Sequence, residues 1–83
     1  MHVEHWQTVA REGVNTLKRA YTFADWAASL AFVERVVGVA RAQDHDPLVE
    51  VSGGSVAVIT WSHDVAGISD RDERFAAAVN ALS

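Results

Sequence analysis

Residues 22–47 read TFADWAASLAFVERVVGVARAQDHDP, and this stretch decides the fold because it sets one long helix against a sharply marked end. Thr22, followed three residues later by Asp25, has the form of an N-cap with a carboxylate in the first turn. Trp26, Leu30, Val33, Val37 and Ala40 then recur at alternating steps of four and three, which draws one apolar stripe along a helix over 24–43. A second stripe, Phe32, Val36 and Val39, runs beside the first. The apolar arc is thus wider than one sheet contact requires, and the surplus marks Phe32, Val36 and Val39 as a partner surface. Pro47 biases Asp46 away from helical backbone, so the helix ends by Gln43 or Asp44 and leaves His45 and Asp46 on an exposed turn.

Upstream of the helix, residues 5–10 and 14–23 read as two strands reversed at Arg11-Glu12-Gly13, although Val9-Ala10-Arg11-Glu12 also fits a short helix. Downstream, Val49 and Val51 alternate around Glu50, and Gly53-Gly54 makes a hairpin turn. Ser55 to Ser62 carries apolar residues on both faces, as a central strand or one buried at an oligomer interface would. His63 falls at the end of that strand. Ser69 followed by Asp72 is a second capping signal, opening a helix over 69–82 whose buried stripe is Phe75, Ala76, Val79 and Leu82. The order β-β-α-β-β-α predicts an α+β fold, a four-stranded antiparallel sheet with helices packed on one face. The turn bearing His45 and the loop bearing His63 can then share one cleft.

Length and charge narrow the function. A chain of 83 residues forms one domain, spanning 1–83. A domain of that size buries only about 60% of its unfolded surface, so a homodimer or higher oligomer is expected. The net charge of -4 offers no field for phosphate backbones, which argues against nucleic acid. With no cysteine, disulfides and thiolate metal sites are excluded. The polar start Met1-His2-Val3-Glu4-His5-Trp6 has no signal-peptide character, and no apolar run nears the ~20 residues that span a bilayer, so a cytoplasmic protein without membrane contact is expected.

Several blocks together resemble one family, the pterin-4a-carbinolamine dehydratases. Tyr21-Thr22-Phe23-Ala24-Asp25-Trp26 is similar to the family's aromatic entry into its long helix, and Phe32-Val33-Glu34-Arg35-Val36 to the middle of that helix. Asp44-His45-Asp46-Pro47 resembles its His-His-Pro doublet. The run from Ser62-His63 through Gly67-Ile68-Ser69 to Asp72 resembles its Thr-His-x-x-x-Gly-Leu-Ser/Thr-x-x-Asp segment. The resemblance covers about Trp6 to Leu82, without the family's usual N-terminal helix.

The family's reaction removes water from a 4a-hydroxytetrahydropterin: a base takes a ring-nitrogen proton while an acid protonates the departing hydroxyl. Imidazole suits both tasks because it exists in either form near neutral pH. The resemblance places His45 and His63 at two of three histidine positions and Asp46 at the third. An ionised carboxylate only accepts hydrogen bonds, so Asp46 cannot donate as a histidine would. Val49 stands where the family has an aromatic, which removes area a flat bicyclic ring would use. Asp72 reads as a first-turn helix residue, Asp44 and Asp64 as solvated loop charges, His2 and His5 as terminal residues, and Trp26 and Trp61 as core or interface anchors. Zinc held by His45, Asp46, His63 and Asp64 is chemically conceivable, but neither metal nor cofactor is expected.

Two function classes follow. Some members of the family act as binding proteins, including assembly factors for RuBisCO in α-carboxysomes. The altered doublet, the missing aromatic and the surplus helix face favour that class: a non-catalytic, chaperone-like assembly factor with the RuBisCO large subunit as partner and a carboxysomal setting. The alternative is an active dehydratase that takes a pterin substrate and uses His45 and His63 as acid and base.

Overall fold

The structure, a computed structural model, describes residues 3–82, so His2 lies outside the described residues. Strand β1 (Gln7–Arg11) turns into β2 (Val14–Thr22), and helix α1 (Trp26–Ala42) follows. A second hairpin, β3 (Leu48–Ser52) and β4 (Ser55–Thr60), leads through a single 3-10 turn (His63–Val65) to helix α2 (Asp70–Asn80). The four strands form one antiparallel sheet in the order β1-β2-β4-β3. The predicted element order and antiparallel four-stranded sheet are the observed ones, and β2 and β4 are internal.

Both hairpins close on two residues. Glu12 and Gly13 sit at φ 52° and 82°, the double positive φ of a type I′ turn whose twist matches the strands. At the second hairpin Gly53 has φ 54°, while Gly54 is required for a different reason. A Cβ there would stand 2.3 Å from the Phe23 carbonyl oxygen, because Phe23 N donates to Gly54 O at 2.7 Å. The hairpin tip is thereby pinned under the start of α1. Ser29 reinforces it, its hydroxyl reaching both Asp25 O and, at 2.8 Å, Gly53 O.

The N-cap of α1 is Asp25, not Thr22. Its carboxylate accepts from Ala28 N at 2.9 Å, whereas Thr22 is still in β2, paired with Ser55. The buried face is also rotated from the expected one. Ser29, Phe32 and Val36 are buried and Val39 packs partly against the core, so the anticipated partner surface is the face that α1 presents to the sheet. Trp26, Leu30 and Val37 of the first stripe are exposed, at 52, 38 and 38%. Ser29 bonds the hairpin at 2.8 Å, a contact between elements, and the 29-32-36 row faces inward with it. Phe32 fills the space between Tyr21 and Phe23, with ring centroids 4.4 and 5.1 Å away. Each such side chain contributes about 1.5–3 kcal/mol by leaving water, so this rotation is held by the core.

Register fixes the two sheet faces. Leu17, Arg19 and Tyr21 stand opposite Thr60, Val58 and Val56, and Val49 and Val51 opposite Val58 and Val56. Those positions share the helix-covered face, where Leu17, Val56 and Val58 join Phe32, Val36, Phe75, Ala76 and Val79 in one core. Trp6, just before β1, is 4% exposed and closes the core against Phe75; its indole N–H donates to Asn80 Oδ1 at 2.7 Å. Among the described residues no helix is long and apolar enough to cross a membrane.

Candidate functional site

Helix α1 stops in a way that delivers His45. Gln43 is its C-cap, and Asp44 takes the left-handed conformation at φ 51°. Asp44 N donates to Arg41 O and His45 N to Ala40 O, at 3.2 and 3.0 Å, which is the paired bonding of a Schellman motif. The expected end at Gln43 or Asp44 holds, and this reversal turns His45 back under the sheet.

There the His45 side chain is only 11% exposed. Its Nε2 lies 2.8 Å from Asp72 Oδ1 and 2.7 Å from Thr60 Oγ1, and its ring packs 5.6 Å from Phe75. His45 is therefore not the exposed turn residue that Pro47 implied. Asp72 in turn is wholly buried on α2, in line with Phe75, Ala76 and Val79. Thr60 Oγ1 donates to its Oδ1 at 2.5 Å; Ser62 Oγ and Ser69 N donate to its Oδ2 at 2.7 and 2.9 Å. Ser69 thus caps α2 as predicted, but Asp72 is far more than a first-turn acid. Burial pushes its carboxyl pKa up, and the hydrogen bonds from Thr60, the Ser69 amide, Ser62 and His45 outweigh that, leaving it below its ordinary value.

These contacts decide a proton. The Thr60 hydroxyl spends its one hydrogen on Asp72, and an ionised Asp72 only accepts. Nε2 of His45, facing both oxygens, must supply its own hydrogen. Nδ1 is then the lone-pair nitrogen of a neutral ring, and it has no hydrogen-bond partner among the described residues. The network fixes the orientation of the imidazole, an arrangement that a buried carboxylate also gives a catalytic histidine elsewhere.

His45 opens onto a cleft of about 400 Å³ that is lined by Asp44, Asp46, Trp61, Ser62, His63, Asp64 and Arg71 as well. His45, Asp46 and His63 are thus brought to one cleft. Asp46 is exposed at its rim, and His63, also exposed, opens the 3-10 turn that is closed by the Ser62–Gly67 backbone bridge. Asp64 is held by Arg71, whose Nη2 donates to Oδ1; that hydrogen bond pulls the Asp64 carboxyl below its ordinary value. Among the described residues no group of three or more His, Asp or Glu is placed to hold a metal ion.

Three participants are not assigned to the site by the sequence pattern. Asp72 lies four residues before Ala76 and seven before Val79, so its position on the buried stripe was a legible signal. Thr60 continues the inward row Val56, Val58, and a hydroxyl on such a row needs a buried partner. Trp61, expected as a core or interface anchor, lines the cleft, its ring 5.1 Å from that of His63 and steeply inclined to it. Val49 packs against the core and does not line the cleft.

Comparison with known proteins places this geometry. Residues 1–82 match the family model described as pterin 4 alpha carbinolamine dehydratase. A Chlorobium limicola protein named "Putative pterin-4-alpha-carbinolamine dehydratase" is 36% identical over 77 residues, 93% of this chain and 68% of its own. The crystal structure of a transcriptional coactivator/pterin dehydratase from Brucella melitensis superposes with a TM-score of 0.84 at 25% identity, covering 95% of this chain and 82% of that one. A pterin dehydratase-like protein identified as a RuBisCO assembly factor in the alpha-carboxysome shares the fold, with a TM-score of 0.76 at 18% identity over 95% of this chain and 89% of that one.

Proposed function

This chain belongs to the pterin 4 alpha carbinolamine dehydratase family, and from that premise we propose that it dehydrates a 4a-hydroxytetrahydropterin in the cleft, with His45 as base and His63 as acid. The observation that carries this reading is the buried Asp72–Thr60–His45 network, which ties Nε2 of His45 and leaves Nδ1 unbonded on a ring that lines an open cleft. Nδ1 takes the proton from the ring N–H next to the carbinol carbon, and the freed electron pair forms a C=N bond. The C–OH bond breaks as His63 protonates the leaving oxygen, and water departs. Asp72 stabilises the imidazolium formed at His45 without itself touching the substrate. The exposed Asp46 carboxylate accepts from donor groups of the ligand, a narrower role than a histidine would have.

The test is dehydration of freshly generated 4a-hydroxytetrahydropterin by the purified protein. Turnover is expected to fall about 10²- to 10⁴-fold in His45→Ala and in His63→Ala, the usual contribution of a positioned acid or base. A folded wild-type protein that does no better than background would overturn the reading.

A second reading is favoured by the exposed row Trp26, Leu30 and Val37 on α1. It is a binding role like that of the RuBisCO assembly factor whose fold this chain shares, with self-association on the same row. Retention of the RuBisCO large subunit by wild-type protein, lost in Trp26→Asp, would support it. Turnover by a chain that retains no partner would remove it.

A further inference from the structure

Building on the proposed pterin site, we propose that Trp61 is the residue against which the flat ring system of the ligand stacks, in the place of the aromatic that position 49 lacks. Val49 cannot do so, because its register opposite Val58 turns it into the core. Trp61 follows β4 and is the one extended aromatic surface among the residues lining the cleft; the others are carboxylates, a serine, an arginine and the two imidazoles. It is half-buried, and its indole N–H has no hydrogen-bond partner among the described residues. Its ring and that of His63 meet at 5.1 Å with an inclination of 73°, so the two side chains form a corner. A planar heterocycle lying on the indole would present its edge to His63, the group assigned as acid, and offset stacking of this kind adds to simple area burial.

The probe is 7,8-dihydrobiopterin, which cannot undergo the dehydration, titrated into the full chain. Trp61→Leu is expected to raise the Kd about tenfold, Trp61→Phe about threefold or less, and Trp26→Leu not at all. In a ¹H–¹⁵N spectrum the indole peak absent from Trp61→Phe should shift on titration while those of Trp6 and Trp26 stay in place. This second readout is taken on the wild-type protein and does not depend on how well a variant folds. Tight binding by wild type with an unmoved Trp61 peak and an unchanged Kd in Trp61→Leu would overturn the stacking role and leave the pterin site standing. Absence of binding together with absence of turnover would overturn both.

Discussion

His45 and Asp72, 27 positions apart in the chain, meet through Nε2 and Oδ1 at 2.8 Å with the carboxylate fully buried. Breaking that contact should separate chemistry from binding. Asp72→Asn puts an amide where Thr60, Ser62, Ser69 and His45 all point donors, so it is expected to cost about 1–3 kcal/mol in chemical denaturation. Because Asp72 does not line the cleft, KM should change little while kcat falls about a hundredfold, roughly 2.7 kcal/mol at 1.36 kcal/mol per decade.

The same residue sets an acid limit on stability. Its carboxyl titrates below the ordinary value of 3.8, so the folded chain favours the ionised form more than the unfolded chain does. That contribution is complete above the unfolded value and is lost as pH falls through the folded one. Urea midpoints of wild type and Asp72→Asn, measured from pH 7 down to 2.5, should therefore run parallel until about pH 4 and converge below it. Asp64→Asn should show no comparable convergence, because the Asp64–Arg71 pair is exposed.

Asp46→His is expected to raise kcat about tenfold by returning a second imidazole donor to the cleft. Asp46 is exposed, so stability should stay within about 0.5 kcal/mol of wild type. Steady-state assay of the purified variant checks the first value and its urea midpoint the second.

The two apolar rows of α1 can be told apart by denaturation alone. Phe32→Ala is expected to lose about 3–5 kcal/mol as a core truncation. Trp26→Ala, at a side chain more than half exposed, should lose about 1 kcal/mol or less.

At the second hairpin, Gly54→Ala forces a Cβ into the Phe23 carbonyl and should cost about 1–3 kcal/mol. Gly53→Ala meets open space and carries only the penalty of left-handed backbone, about 1–2 kcal/mol. The difference is read from their urea midpoints.

The order of elements, both hairpin turns, the end of α1 and the Ser69 cap were legible because each depends on residues close in sequence. The rotation of α1 was not. Two adjacent apolar rows satisfy the same helical period, and the choice between them rests on Ser29 bonding to Gly53, a contact between elements. Thr22 is not the cap, because pairing with Ser55 keeps β2 extended through it, a contact distant in sequence. The histidines of the cleft were visible as residues, but the groups that give His45 its tautomer come from β4 and α2. Their signals were polar side chains on rows otherwise buried, and such rows are readable only when every inward position is asked for a partner.

Placing β4 between β2 and β3 has a kinetic consequence. Each hairpin can zip locally, yet the sheet becomes whole only when β2 finds β4, with Leu17 opposite Thr60 across the length of α1 and its flanking turns. That closure carries the loop entropy and should limit the folding rate. Thr60 reaches its final place in the same event, so a chain with both hairpins formed but undocked has no oriented base, and recovery of turnover on refolding would clock the joining of the two halves of the sheet.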